Sequence, residues 1–397
     1  MAKKTVAQLD VGNQKVLVRV DFNVPLDDAG RITDDRRIVA ALPTIRNIID
    51  RGGRAILMSH LGRPKGGPEP KFSLRPVAVR LGELLKKKVT MAPDCIGPAV
   101  EAVVTGMKNG DVVLLENTRF HKGEEKNDPA LAANLAALGQ YYVNDAFGTA
   151  HRQHASTYGV AEKIGPGKRA IGFLIERELK FLGDALEHPV RPFVAILGGA
   201  KVSDKIAVIE NLLGKADSVL IGGAMAYTFF LAQGKKIGKS LCEKDKVELA
   251  RKLLAAAGPK LVLPVDTVVA SEMTDSAVTR VVEGDIPDGL EGFDIGPKTI
   301  QLYENILQSA RTVVWNGPMG VFEKKPFQAG TRAIAAMLAK ISTGSGAVTI
   351  IGGGDSAAAI EKFGLVDQVS HVSTGGGASL EFMEGRGFAC IDILDNV

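Results

Sequence analysis

The chain is short of cysteine, of aromatic residues, of strong net charge and of long apolar runs, and each shortage removes a class of function. Its three cysteines, Cys95, Cys242 and Cys390, are widely separated and odd in number. They form no disulfide framework and no zinc-ligand spacing, and they suit a reducing compartment. Aromatic residues make up 5% of the chain, too few for a stacking platform that grips single-stranded nucleic acid. The net charge is only +4 over 397 residues, and no Lys/Arg run is longer than Lys86-Lys87-Lys88. A nucleic-acid binder presents a denser basic stripe. No apolar run approaches the ~18 residues of a membrane span, and the first ten residues lack the apolar stretch of a signal peptide. The expectation is a cytoplasmic protein with neither nucleic acid nor membrane as partner.

What the chain has is glycine, 45 residues of it, and a hydrophobic fraction of 45%. The length exceeds one ordinary core and suits two domains of roughly 150–200 residues. Apolar, β-rich runs at 15–20, 55–59, 112–115, 141–144, 193–197, 218–221, 261–264, 312–315, 348–351 and 369–372 read as strands. Many are apolar on both faces, as buried parallel strands are. Amphipathic stretches at 37–51, 130–138, 203–213, 246–257 and 327–341 separate them. This alternation predicts an α/β protein built from two doubly wound, parallel-sheet, Rossmann-like domains. Residues 172–186 read as one helix, apolar around much of its circumference at Phe173, Leu174, Leu179, Phe181, Leu182 and Leu186; such a helix should be buried between domains. The expected division is an N-terminal domain over 1–171, an interdomain helix and hinge over 172–188, and a C-terminal domain over 189–379.

The two halves differ at the ends of their strands. In open α/β sheets, ligands sit beyond the carboxyl ends of the strands. In the first half those ends carry charge: Asp21 and Asn23, His60 and Arg63, Arg119, and the segment His151-Arg152-Gln153-His154, with Arg37 opening the first helix. Arginine forks donate two parallel hydrogen bonds to carboxylate or phosphate, so several at separate strand ends suit a multiply charged anion. One arginine alone would more simply be a surface ion pair. Asp21 fits an anion site only if the ligand also has a hydroxyl to donate; otherwise it is a turn or cap residue.

In the second half the strand ends carry glycine: Gly198-Gly199-Ala200-Lys201, Gly222-Gly223, Gly352-Gly353-Gly354-Asp355-Ser356 and Gly375-Gly376-Gly377. Amide N–H groups at a helix N-terminus favour phosphate. Asp355 could reach a phosphate-bound Mg²⁺, or cap the helix. Lys201, with Lys205 four residues on, could balance charge on a moving phosphoryl group. Gly352-x-Gly354-x-x-Ala357 fits a dinucleotide fingerprint, but no acidic residue stands about 20 residues further on. Gly234-Lys-Lys-Ile-Gly-Lys-Ser is one residue short of a P-loop and has no strand leading into it. No Ser/His/Asp or Cys/His order indicates covalent catalysis.

At these residues the sequence resembles phosphoglycerate kinases. The matching segments are Lys15-Val-Leu-Val-Arg-Val-Asp-Phe-Asn-Val-Pro25, Ser59-His-Leu-Gly-Arg-Pro64, Glu116-Asn-Thr-Arg-Phe120, Asn144-Asp-Ala-Phe-Gly-Thr-Ala-His-Arg-Gln-His154, Gly198-Gly-Ala-Lys-Val202, Trp315-Asn-Gly-Pro-Met-Gly-Val-Phe-Glu323, Gly352-Gly-Gly-Asp-Ser356 and Ser370-His-Val-Ser-Thr-Gly-Gly-Gly-Ala-Ser379, in the family's order. The resemblance implies a monomeric glycolytic enzyme that transfers a phosphoryl group reversibly from 1,3-bisphosphoglycerate to ADP, giving 3-phosphoglycerate and ATP, with Mg²⁺, by direct in-line transfer after hinge closure. It implies that Asp21, Phe22, Asn23, Arg37, His60, Leu61, Gly62, Arg63, Arg119 and Arg152 hold the phosphoglycerate. Lys201, Lys205, Gly292, Asn316, Glu323, Gly353, Gly354, Asp355 and Ser356 would hold the nucleotide, with Asp355 on the metal. Arg37, Lys201 and Gly376 would act on the transferring group. Ser203 and Ser356 stand where the family often has Ala and Thr. By the same resemblance, 380–397 should return to the N-terminal domain. A two-domain binding module without catalysis is the alternative.

Overall fold

The structure, a computed structural model, describes residues 2–397. The chain forms two compact units: residues 2–180 with Gly387–Val397, and Phe181–Arg386. The second crossing falls at Gly387, beyond the 380 expected. The helix Gly377–Met383 stays with the second unit, where Asn211 Nδ2 donates to Met383 O at 2.7 Å.

Strands of the first unit are β1 (Lys15–Val20), β2 (Arg54–Met58), β3 (Val89–Met91), β4 (Val112–Leu114), β5 (Tyr141–Asp145) and β6 (Arg169–Ile171). They form one six-stranded parallel sheet in the order β3-β4-β2-β1-β5-β6. Val16, Val18 and Val20 of β1 pack with Ile38, Ala41, Ile45 and Ile48 of the helix Arg36–Asp50. Leu17 and Arg19, on the opposite face, are also fully buried. A strand covered on both sides cannot alternate apolar with polar, so β1 reads as a continuous apolar run interrupted by one arginine.

The second unit contributes β7 (Phe193–Leu197), β8 (Ser218–Ile221), β9 (Leu261–Val262), β10 (Asp266–Ala270), β11 (Arg280–Glu283), β12 (Glu291–Ile295), β13 (Thr312–Asn316), β14 (Val348–Gly352) and β15 (His371–Val372). Six of them make a parallel sheet in the order β15-β14-β13-β7-β8-β9. Counted within this sheet, that is the dinucleotide-fold order 3-2-1-4-5-6. Val194, Ile196, Val313, Trp315 and Ile351 form its core with Ile334, Leu338 and Ile341 of the helix Ala329–Ser345. The Rossmann-like α/β architecture expected from the sequence is therefore present in both units.

Further features depart from the sequence expectation, beginning with β3 and β6, short strands that lie outside the expected apolar runs. β10, β11 and β12 form a separate antiparallel sheet with β10 central. β11 is an edge strand and largely exposed, so it carries no apolar pattern to announce it. And 172–186 is not one uniform helix. α-Helix Phe173–Glu178 runs into π-helix Leu179–Gly183 and then α-helix Asp184–Glu187. A π turn takes up an extra residue and rotates the helix beyond it, which explains why the apolar residues covered more than one helical stripe. The boundary between the units falls inside this π segment.

Three glycine loops at the carboxyl ends of β7, β8 and β13 touch backbone to backbone. A Cβ on Gly198 would lie 2.0 Å from Pro318 O, one on Gly317 2.3 Å from Gly198 O, and one on Gly223 2.5 Å from Gly199 N. Backbone cannot give way as a side chain can. Gly198→Ala should therefore cost about 1–3 kcal/mol or more, read as a lower urea midpoint in the fluorescence of Trp315, the chain's one tryptophan. Gly344→Ala is the control: an added Cβ meets nothing within 4 Å in its helix, and the midpoint should hold or rise.

Candidate active site

In an open parallel sheet the strand order reverses once, and the loops leaving the two strands at that point diverge and open a crevice. In the first sheet the reversal lies between β1 and β5. Asp21-Phe22-Asn23 come directly after β1, and the segment carrying His151 and Arg152 comes after β5.

These residues converge around buried charge. Arg19, fully buried, donates Nε to Ser156 Oγ at 2.8 Å and Nη1 to Val20 O, and its Nη2 lies 3.2 Å from His60 Nδ1. Ser156 in turn hydrogen-bonds to buried Glu124, its N–H at 3.0 Å from Oε2 and its hydroxyl on Oε1. Asp21 accepts from Arg37 Nη1, and its Oδ1 is 4.0 Å from His60 Nδ1. Burial, and then the charges of Arg19, Arg119, Arg37 and Arg152, push the His60 pKa well below its ordinary value. His60 is thus a neutral imidazole among guanidinium groups, free to offer one ring N–H. Burial likewise lowers His154, against the pull of Glu124.

Arg119 sits in the 3₁₀ turn Thr118–Phe120, whose second amide is capped by Asn117: Arg119 N–H donates to Asn117 Oδ1 at 3.0 Å, while Thr118 N–H donates to Ser59 O at 3.0 Å. Asn117 Nδ2 also donates to Leu61 O at 2.7 Å and Phe72 O at 2.9 Å, and Arg119 Nη1 to Gly62 O at 2.7 Å. Gly62 N–H donates to Asn23 Oδ1 at 2.8 Å. So Asn23, Leu61, Gly62 and Arg119 belong to one hydrogen-bonded ring. Arg119 Nε is buried without a partner, a donor left over for a ligand. Arg152 Nε donates to His151 Nε2 at 2.9 Å, and Arg63 is exposed. Arg37 reaches Asp21 of this cluster, and the adjacent Arg36 donates Nε to Asp34 Oδ1 at 2.9 Å. Sequence reasoning did not select Arg19, Asn117, Glu124 or Ser156 as site residues. An arginine between Val18 and Val20 in an apolar strand was the one signal to be had, because a buried charge needs a built environment.

In the second sheet the reversal lies between β7 and β13. Lys201 and Lys205 come after β7, and Asn316 ends β13. Lys205 Nζ donates to Asn316 Oδ1, and to Asn316 O at 3.3 Å. Burial pulls the Lys205 pKa down to about 8, against the opposing charges of Asp355 and Asp204. Asn316 Nδ2 is buried without a partner and lies 3.0 Å from where a Cβ on Gly353 would be. Gly353, with φ 87°, caps the helix Gly354–Lys362, which carries Asp355 in its first turn. Lys201, Gly354 and Asp355 are exposed. Ser356 is different: its hydroxyl is buried and accepts from Gly317 N–H at 2.6 Å, bracing the loop after β13. Gly376, with φ 54°, precedes the short helix Gly377–Met383.

Gly292 lies in β12, where a Cβ would stand 2.3 Å from Tyr227 Oη. Its neighbour Phe293 O accepts from Val321 N–H at 2.9 Å, which brings β12 beside the segment that carries exposed Glu323. Buried Asp294, pushed up to about 8 by burial, accepts from Gly330 N–H at 2.7 Å and fixes the start of the helix Ala329–Ser345.

The arrangement is an arginine-lined crevice in one unit and a glycine-lined crevice with lysine and aspartate in the other. A family model described as phosphoglycerate kinase matches residues 6–386. The chain belongs to the phosphoglycerate kinase family. It is 56% identical over 399 residues to the phosphoglycerate kinase of Rhodopirellula baltica, covering 100% of both chains. It is 58% identical over 404 residues to that of Lactobacillus gasseri, covering 98% of this chain and 99% of the other. Among solved structures, the phosphoglycerate kinase of Coxiella burnetii superposes with a TM-score of 0.88 at 44% identity, covering 98% of each chain. That of Pyrococcus horikoshii gives 0.82 at 35%, covering 97% of each.

Family membership does not account for Asp145, which ends β5 at the same sheet reversal. It is fully buried, and burial raises its pKa to about 7 although the Thr44 hydroxyl and the amides of Leu174 and Ile175 favour the carboxylate. A carboxyl whose folded pKa lies above its unfolded value binds more protons when folded. Stability then falls as pH rises from about 4 towards 7. Asp145→Asn should flatten that fall, so urea midpoints of wild type and variant should diverge across this window and run parallel above it.

Proposed function

We propose that the protein is a phosphoglycerate kinase, transferring a phosphoryl group reversibly from 1,3-bisphosphoglycerate to ADP and yielding 3-phosphoglycerate and ATP, a reaction of glycolysis. The observation that carries this reading is the division of labour between the two sheet reversals. One offers guanidinium groups with an unpartnered Arg119 Nε, suited to a small polyanion. The other offers glycine backbone, Lys201, Lys205 and the unpartnered Asn316 Nδ2, suited to nucleotide phosphates.

On this reading Arg63, Arg119 and Arg152 hold the 3-phosphate, with Asn23, His60, Phe22, Leu61 and Gly62 around it. Asp21 accepts a hydrogen bond from the substrate hydroxyl and one from Arg37, which it keeps in place. Gly292 and Glu323 border the nucleoside, and Gly353, Gly354 and Ser356 its phosphates. An ADP β-phosphate oxygen attacks the acyl-phosphate phosphorus in line, the bond from phosphorus to the carboxyl oxygen breaks, and a carboxylate leaves. Both nucleophile and leaving group are anions at neutral pH, so no residue has to move a proton. The protein's task is alignment and charge balance. Arg37 and Lys201 neutralise the transferring group, joined by the Gly376 amide. Because the two substrates bind on separate units, closure must bring them together and shut out water.

Mg²⁺ fits the second crevice. Protein sites for it commonly supply one or two carboxylates and leave the rest to phosphates and water. Exposed Asp355, in the first turn of a helix whose N-terminal amides favour phosphate, is the carboxylate that can serve. The ion would offset phosphate charge.

A coupled assay with 3-phosphoglycerate and MgATP should show ADP formation. Its absence in folded protein that still binds both ligands would leave the binding module without catalysis. Arg37→Ala should lower turnover roughly tenfold to a hundredfold, the worth of one charge-assisted contact, while ADP affinity stays unchanged by calorimetry. Near-normal turnover would remove Arg37 from its role. Asp355→Asn should weaken MgADP binding and spare that of 3-phosphoglycerate.

A further inference from the structure

Outside both crevices, one cluster joins three kinds of metal-binding donor. Asp94 and Cys95 lie in the loop after β3, and His121 stands directly after the turn that carries Arg119. One ligand atom from each, the Asp94 carboxylate oxygen, Cys95 Sγ and a His121 ring nitrogen, lie within 4.8 Å of one another. His121 Nε2 is 2.7 Å from Asp94 Oδ1, and Cys95 Sγ donates to Glu116 O at 3.0 Å. The Asp94 and His121 side chains are 51% and 24% exposed. Cys95 is buried beneath them.

We propose that Asp94, Cys95 and His121 form a binding site for one borderline-soft divalent cation, with Zn²⁺ preferred and water in the fourth position. An exposed Asp–His pair alone would be an ordinary surface contact. The buried thiol on its inner side changes the chemistry. Tetrahedral bonds of about 2.0–2.3 Å place donor atoms about 3.3–3.8 Å apart. The Asp–His contact therefore opens by less than about 1 Å, and the widest separation, at most 4.8 Å, closes by no more than about 1.3 Å. The thiol exchanges its hydrogen bond to Glu116 O for the metal and releases its proton to solvent. Sulfur and imidazole donors select against Mg²⁺ and Ca²⁺, which take oxygen. The solvent-facing Asp94 and His121 give the ion its entry. Once bound, it ties the loop after β3 more firmly to the turn of Arg119. Without it they share the Asp94–His121 contact, the Cys95–Glu116 contact and a 3.4 Å bond from Glu116 N–H to Asp94 O.

The test uses the full-length protein, freed of metal by chelation, with Co²⁺ as the spectroscopic probe and Zn²⁺ as competitor. One equivalent of Co²⁺ should produce a thiolate-to-cobalt charge-transfer band that Zn²⁺ abolishes. Cys95→Ser should lose the band, and Cys242→Ser should keep it. His121→Gln and Asp94→Asn, both at exposed or half-buried positions, should each weaken Co²⁺ binding roughly tenfold or more. They should also cancel the rise in melting temperature that Zn²⁺ gives the wild type. These two variants decide the matter even if Cys95→Ser fails to fold. No thiolate band, a band that survives in Cys95→Ser, or Co²⁺ affinity unchanged in His121→Gln would overturn the proposal.

Discussion

Parallel strands cannot be joined by a tight turn. Each must be reached by a crossover, and a chain that winds first to one side of its starting strand and then to the other leaves a gap where the direction changes. This single constraint acts in each unit. In the first it places the loops after β1 and β5 at one opening, and in the second the loops after β7 and β13. The candidate ligand-binding side chains gather around those points, where the loops part and side chains meet without filling a core. The hydrophobic clusters on either side of β1 and β13 hold the strand ends still while the loops above them differ.

The two openings handle charge in opposite ways. The first is built from formal charge, which is costly to bury and must be balanced. Arg19 is the case in point: it is buried from solvent, so Ser156, Val20 O and a neutral His60 supply its partners, with Glu124 behind Ser156. Because His60 stays neutral, it adds no further repulsion among the guanidinium groups. The second opening is built from backbone. Gly198, Gly223 and Gly317 approach so closely that no side chain fits between them, and what the loops then present is N–H and C=O. Lysine enters there only as Lys201 at the rim and Lys205 bound to Asn316.

Much of this was legible in the sequence. Every apolar run read as a strand contains one, although 261–264 and 369–372 hold only the two-residue edge strands Leu261–Val262 and His371–Val372; strands buried on both faces are the ones that read as apolar throughout. The grouping of Asp21, Asn23, His60 and Arg119 came from their places after separate strands. Much of what stayed hidden had only a weak local signature. β11 faces solvent and so carries no periodicity. The π turn at Leu179–Gly183 is a change of pitch that hydrophobic spacing registers only as an over-wide stripe. Asn117 and Glu124 are polar residues whose burial depends on chain segments distant in sequence, as in the bond from Asn117 Nδ2 to Phe72 O. Ser356, which the family resemblance places at the nucleotide, also accepts from Gly317 N–H of the neighbouring loop, a bond the motif does not announce.

The same contrast bears on the family assignment. Motif similarity ranks Ser356 and Lys205 alike as nucleotide residues, while their surroundings separate them. Ser356 is fully buried with its hydroxyl accepting a backbone N–H, so its removal should first loosen Gly317. Lys205 has a pKa drawn down to about 8 by burial and an amide partner, Asn316, that still has an unpartnered donor. A phosphate arriving there would relieve both conditions at once, pairing the ammonium and accepting from Asn316 Nδ2. Physical incompleteness of this kind, in Lys205 with Asn316 and in Arg119 Nε, marks polar groups with capacity left for a ligand, which the motif alone does not reveal.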